Sequence, residues 1–375
     1  MSKLPNVGTT IFTTMSKMAA DHQAINLSQG FPNFPVDERL IALLQETAAE
    51  NAHQYAPMAG HPALLEEIAR LTISNYGRHL NPATEILVTS GATQGIFTAI
   101  QALVNHGEEV IILDPAYDCY APAVILAGAR PVHINMRPDF TPDWDAVNDA
   151  VTGKTAMIIV NNPHNPSGKI LQEEDILALE GLMDRNPELL LLSDEVYEYI
   201  TFEQKHISAN TRNALIERSI IVSSFGKTFH ITGWKAGYLV APERLMAEIK
   251  KVHQFLVFSV NSVAQATLAK YLKETDVSKL GSFYQQKRDS FRQMMAGSRF
   301  ELLPSEGTYF QTVKYQDISN EGDTPFVERL VREHGVAAIP LSAFYNDHSD
   351  HQTIRFCFAK DDETLQKATE KLCRI

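Results

Sequence analysis

Residues 223–237 read Ser-Ser-Phe-Gly-Lys-Thr-Phe-His-Ile-Thr-Gly-Trp-Lys-Ala-Gly. They follow an apolar run that ends at Val222 and has the pattern of a buried strand. A hydroxyl at Ser224 and two lysines, Lys227 and Lys235, therefore come just beyond that strand. The carboxyl end of a parallel sheet is where an α/β protein presents groups to a bound ligand. Taken alone, a lysine at such a place is more often an ordinary solvated side chain on a loop.

Short apolar runs recur through the first two thirds of the chain, with helical stretches between them. The runs are residues 86–88, 110–113, 156–160, 189–192, 220–222 and 238–240. Their hydrophobicity is continuous rather than alternating, which indicates that both faces of each strand are covered. The pattern predicts an α/β fold: a large domain of residues 40–275 with a mostly parallel central sheet covered by helices.

A smaller α+β domain is predicted from residues 1–39 together with residues 276–375. Residues 251–273 read as a helical connector that is interrupted at 259–261, and residues 283–295 as a long charged helix. Strand-like runs follow at 308–313 and 354–358, and a last helix is predicted from Asp361. Pro32 and Pro35 predict extended chain in the N-terminal segment.

Composition narrows the classes of partner. The 375 residues carry a formal net charge of −12, which disfavours nucleic acid or an anionic membrane as the main partner. Apolar residues make up 44% of the chain, as in ordinary globular proteins. The three cysteines have no metal-like spacing, and neither a signal-like N-terminus nor an 18-residue apolar run occurs. We therefore expect a cytoplasmic protein without a metal, a nucleic-acid partner or a membrane partner.

Four other polar stretches begin where an apolar run ends. Gly91-Ala92-Thr93 opens a helix, and free N–H groups at a helix start can bind an anion. Tyr117 follows the run 110–113 and could stack on a flat ring. Residues 161–168 combine two Asn-Pro pairs with a glycine. Asp194 ends a leucine-rich run and, if buried, needs a partner. Each stretch alone is also compatible with a cap, a turn or simple packing.

In combination these stretches resemble the class I/II aminotransferases, which are pyridoxal-phosphate (PLP) enzymes of fold type I. The resemblance rests on Asn-Pro-His-Asn-Pro-Ser-Gly at 162–168, Ser-Asp-Glu-Val-Tyr at 193–197 and the stretch at 223–237, in that order. Residues 3–12 and 26–32 are similar to the bacterial methionine aminotransferase branch, which is related to the kynurenine–glutamine transaminases.

The resemblance implies a role for each conspicuous residue around the cofactor. Lys227 would hold PLP as a Schiff base and then carry the proton in catalysis. Asp194 would face the pyridine nitrogen and keep it protonated. Tyr197 and Asn165 would hydrogen-bond the phenolic oxygen, and Tyr117 would stack on the ring.

The same resemblance implies how the two anionic groups are held. The N–H groups of Ala92 and Thr93 would bind the phosphate together with Ser224 and Lys235, where Lys235 replaces the arginine that is commonest in the family. Tyr55 would reach the phosphate of a second subunit, which implies a homodimer with shared active sites. The substrate carboxylate would be bound by Arg355, Gly30 and Asn165. A salt bridge inside the small domain is the alternative for Arg355.

Amino donors expected from the resemblance are methionine and large apolar or aromatic amino acids, with a 2-oxo acid as acceptor. Ile11, Phe12, Phe255 and Phe258 could line a pocket for the donor side chain, although apolar residues at such places are often core. A kynurenine transaminase is expected to have histidine after Phe258, where this chain has Ser259. The alternatives left open are kynurenine or glutamine transamination, β-elimination on cysteine conjugates, and a non-enzymatic regulatory role on the same fold. Regulatory proteins of that kind often carry an added DNA-binding domain, for which these residues leave no room.

Overall fold

The computed structural model describes residues 2–5 and 7–375. Met1 and Asn6 lie outside the described residues, and Asn6 belongs to the N-terminal stretch that carries part of the resemblance. The strands of the described residues are β1 (Ile25–Asn26), β2 (Ile86–Thr89), β3 (Glu109–Asp114), β4 (Arg130–Asn135), β5 (Thr155–Asn161), β6 (Leu190–Asp194), β7 (Ser219–Ser224), β8 (Gly237–Val240), β9 (Glu301–Leu302), β10 (Phe310–Lys314), β11 (Val336–Ala337), β12 (Ile339–Pro340) and β13 (Thr353–Cys357).

The α-helices of the same residues are α1 (Ile11–Asp21), α2 (Glu38–Ala49), α3 (Pro62–Tyr76), α4 (Gly91–Leu103), α5 (Tyr120–Leu126), α6 (Trp144–Ala150), α7 (Glu173–Arg185), α8 (Asn213–Ile216), α9 (Phe225–Thr228), α10 (Glu243–Leu256), α11 (Ser262–Glu274), α12 (Lys279–Met294), α13 (Asp323–His334) and α14 (Asp362–Leu372). Short 3-10 helices occur at Ala209–Thr211, Thr232–Trp234 and Leu341–Phe344. Within the described ranges, no helix has the length and apolar character needed to cross a membrane.

The central sheet has seven strands in the described residues, in the order β2-β8-β7-β6-β5-β3-β4. Strand β8 runs antiparallel to both of its neighbours, and the other pairs are parallel. Asn161 pairs with Asp194 in this register, so the last residues of β5 and β6 lie side by side. The predicted mostly parallel sheet is confirmed, and its carboxyl edge collects the residues that end β5, β6 and β7.

Strand β4 has no counterpart among the predicted strands. It forms the edge of the sheet beside β3, and its residues are exposed or half-buried. Its sequence contains Arg130, Pro131 and His133 and thus lacks the continuous apolar run used to find the inner strands. Edge strands tolerate proline and polar residues because only one side is hydrogen-bonded and less surface is covered.

Both faces of the sheet are covered, as the continuous apolar runs indicate. Ile111 belongs to a core that includes residues of α2, α3, α7 and α11, whereas the adjacent Ile112 belongs to a core that includes residues of α4, α5 and α10. Successive strand residues point to opposite faces, so a covered sheet needs apolar residues at both. The second core continues into the C-terminal region through residues such as Phe356.

The C-terminal region forms a second, smaller sheet with the order β12-β13-β10-β9, which is antiparallel throughout. The N-terminal segment joins the C-terminal region through a separate two-stranded sheet, in which β1 pairs in parallel with β11. The prediction of extended chain for the N-terminal segment is wrong for Ile11–Asp21, which form α1, and the two prolines lie in irregular chain without helix or strand. The domain limits at 39/40 and 275/276 stay a prediction.

Candidate active site

A cavity of about 310 Å³ opens at the carboxyl edge of the central sheet, where it meets the N-terminal segment and the C-terminal region. Its volume falls within the range of small-molecule sites. The residues predicted for the site that line it are Gly30, Ala92, Thr93, Tyr117, Asn165, Asp194, Tyr197, Ser224, Lys227, Lys235 and Arg355. Chain segments that are far apart in sequence therefore present their polar groups to one space.

Lys227 lies on the single-turn helix α9, directly after the buried strand β7. Its ammonium Nζ donates to the carbonyl oxygen of Gly30 at 3.3 Å and lies 5.6 Å from the centre of the Tyr197 ring. Burial, together with the positive charge of Arg355, lowers the pKa of Lys227 to about 8. A substantial fraction of this amine is therefore neutral and nucleophilic near neutral pH.

Asp194 ends β6 and is almost completely buried, with 3% of its surface exposed. The hydroxyl of Tyr120 donates to its Oδ2 at 2.5 Å, and the N–H of Val196 donates to its Oδ1 at 3.3 Å. Burial raises the pKa of Asp194 to about 6, although both hydrogen bonds and the charge of Lys227 act in the opposite direction. The site thus holds a carboxylate that still needs a cationic partner.

Arg355, on β13, is 1% exposed and makes no ion pair with a carboxylate in the described part of the chain. Its Nη1 donates to Asn165 Oδ1 at 2.6 Å, its Nη2 donates to the carbonyl of Ser28 at 3.1 Å, and its Nε has no partner there. The guanidinium lies 3.8 Å from the centre of the Phe310 ring. Burial lowers the pKa of Arg355 to about 10. The salt-bridge alternative for Arg355 is therefore wrong. A buried guanidinium of this kind is suited to bind an anion.

An anion cradle lies at the start of α4. Gly91 has a φ of 75°, a left-handed conformation that favours glycine, and an added Cβ there would lie 3.2 Å from Lys235 Nζ. Within the described residues, the Ser90 side chain does not cap the helix, so the N–H groups of Ala92 and Thr93 remain available. A helix start with free N–H groups and an adjacent lysine suits a phosphate.

Comparison with known proteins decides the family. A family model for aminotransferase class I and II matches residues 22–372. The chain is 48% identical over 378 residues to methionine aminotransferase of Escherichia coli, covering 100% of this chain and 98% of that protein.

The chain belongs to the class I and II aminotransferases.

Further relatives support the same family. The kynurenine–oxoglutarate transaminase of Dictyostelium discoideum is 33% identical and covers 98% of this aminotransferase and 94% of its own length. Among solved structures, the E. coli protein YbdL, for which a methionine aminotransferase function is described, has a TM-score of 0.97 and 47% identity over 100% of this chain and 99% of its own. N-succinyldiaminopimelate aminotransferase of Mycobacterium tuberculosis has a TM-score of 0.95 and 34% identity, with 100% and 99% covered.

Among the residues predicted to bind the cofactor or the substrate carboxylate, Tyr55 is the one that does not line the cavity of its own chain. Its side chain is 80% exposed, lies edge-on to the ring of Phe258 at 5.3 Å and lines a separate cleft. Phe255 and Phe258 are also exposed, and Ile11 packs against the core, so none of the three lines the cavity. Of the four residues suggested for a donor pocket, only Phe12 does.

Three aromatic residues of the aminotransferase site escaped the sequence reasoning. Tyr120 supports Asp194, Tyr309 donates its hydroxyl to the carbonyl of Gly30 at 2.6 Å, and Phe310 lies beneath Arg355. The position of Tyr120, three residues after Tyr117, is a weak signal that could have suggested it. Tyr309 and Phe310 carry no such signal, because adjacent aromatic residues in a strand-like stretch have the same sequence pattern as ordinary core residues.

The raised pKa of Asp194 predicts a pH-dependent effect on stability. In protein without a ligand, the charged form costs about 3 kcal/mol above pH 6, and this penalty disappears below about pH 4. Asp194→Asn removes the charge but can accept only one of the two hydrogen bonds, a loss of about 1 kcal/mol. We expect its free energy of unfolding to exceed that of the wild type by about 2 kcal/mol at pH 7.5, with the order reversed at pH 4.

Denaturant unfolding of the cofactor-free protein at several pH values measures this difference. Asp317→Asn, on an exposed side chain, is the control and should show neither the gain nor the reversal. A constant difference between Asp194→Asn and the wild type from pH 4 to pH 7.5 would contradict the assignment.

Proposed function

We propose that this aminotransferase uses PLP to move the amino group of methionine, or of another large apolar or aromatic amino acid, to a 2-oxo acid. The observation that carries the proposal is the convergence of Lys227, Asp194 and Arg355 on one cavity, each with a perturbed pKa. The choice of methionine is supported by the 48% identity to the E. coli methionine aminotransferase.

The residues of the cavity fit PLP in charge and shape. Asp194 offers a buried carboxylate for a protonated ring nitrogen, and the cradle beside Gly91 is space that a side chain would fill. Arg355 lines the cavity, and its buried Nε has no hydrogen-bond partner among the described residues. When bound, PLP supplies an aldehyde that condenses with amines and a ring that withdraws electrons from the substrate α-carbon.

Lys227 is the residue we assign to covalent attachment and proton transfer. Its Nζ is neutral often enough to attack a carbonyl, since burial and Arg355 hold its pKa near 8. Once a substrate amine replaces it, the same Nζ is free to take a proton from the α-carbon. Its bond to the Gly30 carbonyl keeps it on the side of the cavity that also holds Arg355.

Four residues are assigned to the ring. Asp194 would keep the ring nitrogen protonated, and the bond from Tyr120 fixes the orientation of the carboxylate. Tyr197 and Asn165 would donate to the phenolic oxygen. Asn165 Oδ1 already accepts from Arg355, which leaves its amide N–H groups for this contact. Tyr117 would stack on the ring face.

The phosphate and the substrate carboxylate are assigned to two different sets of lining residues. Ala92, Thr93, Ser224 and Lys235 would hold the phosphate, with Lys235 as a point charge rather than a fork. The fork of Arg355 would hold the carboxylate, together with Gly30 and Asn165.

The remaining lining favours an apolar donor side chain. Phe12, Phe31 and Ile96 line the cavity, and among its described lining residues the three cations already have assigned roles. A substrate with a second carboxylate would therefore meet apolar surface, where burying its charge is costly.

A donor panel with one fixed 2-oxo acid tests the proposed substrate. We expect kcat/KM for methionine at least about 100-fold above that for aspartate, because an unpaired carboxylate in an apolar pocket costs about 3 kcal/mol or more. The bound cofactor should also change its absorption when methionine is added. A preference for aspartate would refute the assignment.

Kynurenine is the second candidate donor, and the 33% identity to a kynurenine–oxoglutarate transaminase favours its inclusion in the panel. Against it, Ser259 stands where a histidine is expected, and its hydroxyl donates to the carbonyl of Ala56 at 2.9 Å. Release of pyruvate and ammonia from a cysteine conjugate, without a 2-oxo acid, measures β-elimination in the same preparation.

We further propose a homodimer in which Tyr55 completes the phosphate site of the partner subunit. Tyr55 lies in an exposed apolar patch with Phe255, Leu256 and Phe258, and such patches are typical of interfaces. A dilution series followed by sedimentation and activity should show activity falling with the dimer fraction. Full activity in an isolated monomer would contradict the shared site.

We also propose a cytoplasmic location, which the three unpaired cysteines of the described residues support. We propose as well that the chain divides into a large domain, residues 40–275, and a small domain formed by residues 1–39 and 276–375.

A further inference from the structure

A short N-terminal segment, residues 28–31, crosses the cavity and is here called the strap. Gln29, Gly30 and Phe31 line the cavity, and Phe31 is 45% exposed at its mouth. The strap has neither helical nor strand structure, so its position depends on contacts with other elements.

The carbonyl groups of the strap all accept from side chains of other elements. Ser28 accepts from Arg355, and Gly30 accepts from Tyr309 and Lys227. The carbonyls of Phe31 and Gln29 both face Lys360 Nζ, at 2.7 Å and 3.5 Å. Arg355 and Lys227 line the cavity, whereas Tyr309 and Lys360 do not, and of these two Lys360 is the charged donor.

Lys360 is an unusual lysine because it is buried, with 3% of its surface exposed. No ion pair with a carboxylate is formed by it among residues 2–5 and 7–375. Its Nζ instead lies 4.8 Å from the centre of the Phe31 ring, in addition to its two carbonyl acceptors. A buried ammonium is costly unless it is hydrogen-bonded, and here every such contact is to the strap.

The strap lies against the aromatic ring on which Arg355 packs. An added Cβ at Gly30 would lie 2.8 Å from the ring of Phe310, so strap and ring are in close contact. The same ring lies 3.8 Å beneath the guanidinium of Arg355. A shift of the strap therefore changes the space in which Arg355 would receive a substrate carboxylate.

We propose that Lys360 is a positioning residue that holds the strap over the cavity and thereby sets the affinity for the carboxylate of amino-acid and 2-oxo-acid substrates. This inference rests on the proposed function only for its kinetic consequence. The ordering of the strap by Lys360 is a property of the chain itself and is measured without turnover.

Lys360→Met in the full-length protein tests the proposal, since methionine keeps the length of the side chain but removes its charge and its donors. Hydrogen–deuterium exchange in peptides covering residues 28–34 should become about ten-fold faster, with the rest of the C-terminal region unchanged. KM should rise about ten-fold for both methionine and the 2-oxo acid, with kcat within about two-fold, because the lost contact affects bound and reacting states equally.

Lys250→Met is the matched control, because Lys250 Nζ also donates to a backbone carbonyl, that of Ala83 at 2.7 Å, away from the cavity. It should leave both strap exchange and KM at the wild-type values. Lys360→Gln, which is neutral but keeps a donor, serves as the second variant if Lys360→Met does not fold. Hydrogen–deuterium exchange in the strap of Lys360→Gln should be faster than in the wild type and slower than in Lys360→Met.

Unchanged strap exchange in a folded Lys360 variant would overturn the proposal, and so would an equal increase over the whole C-terminal region. A fall in kcat at constant KM would overturn it as well. If the wild type does not transaminate, the proposed function fails, and the exchange data still decide the role of Lys360.

Discussion

Replacing Lys227 by Arg is expected to lower turnover of methionine with any 2-oxo acid by at least about 10⁴-fold, the upper range for loss of a general base. Arginine keeps the positive charge, but its guanidinium stays protonated and cannot act as a nucleophile or a base. The effect follows from the position of Lys227 Nζ, between the Gly30 carbonyl and the Tyr197 ring, with its pKa lowered to about 8. Steady-state kinetics measure the loss of turnover, and the absorption of the bound cofactor measures the loss of its covalent attachment.

Two features distinguish this loss from misfolding. The thermal unfolding temperature of Lys227→Arg should stay within a few degrees of the wild type, since α9 remains intact. Lys250→Arg, which changes a lysine outside the cavity, should keep full activity. Turnover within ten-fold of the wild type in Lys227→Arg would exclude Lys227 as the covalent residue.

Replacing Arg355 by Met should lower kcat/KM for amino acids by about 10²- to 10³-fold, because a bidentate bond to a desolvated carboxylate contributes about 3–4 kcal/mol. The reason lies in its setting: Arg355 is buried, contacts Asn165 and Ser28, and has an unpaired Nε in the described structure. Arg355→Lys keeps the charge without the fork, so a smaller loss is expected.

A simple amine that lacks the carboxylate is the internal control for Arg355→Met. Its reaction with the bound cofactor should be nearly unchanged, because it never makes the contact that the variant removes. Stability gives a second control, since removal of a buried cation without an anionic partner should not lower the unfolding temperature. A loss of activity that is equal for amino acids and simple amines would contradict the carboxylate role.

The local pattern of apolar residues was sufficient to predict the inner strands of the central sheet and the polar residues at their carboxyl ends. Asp194, Asn161 and Ser224 each follow an apolar run, and parallel topology necessarily brings such residues to one edge. The edge strand β4 was not predicted, because a strand covered less completely needs no continuous apolar run.

Tyr55 marks the limit of reasoning from a single chain. The motif around it suggests a phosphate contact, yet its side chain is 80% exposed and outside the cavity of its own chain. In the dimer that we propose, the phosphate that Tyr55 would contact belongs to a second subunit, so the contacts of Tyr55 within one chain do not indicate this role.

The stretch 223–237 by itself determined that a lysine and a hydroxyl follow a buried strand, since strand burial is a property of consecutive residues. The tertiary structure alone decided that Arg355 meets Asn165, 190 positions earlier in the chain, and that Tyr120 supports Asp194. It also decided that Lys360 holds the strap from 329 positions away. Contacts at such separations depend on how whole elements pack, and no periodicity or spacing in the sequence records that packing.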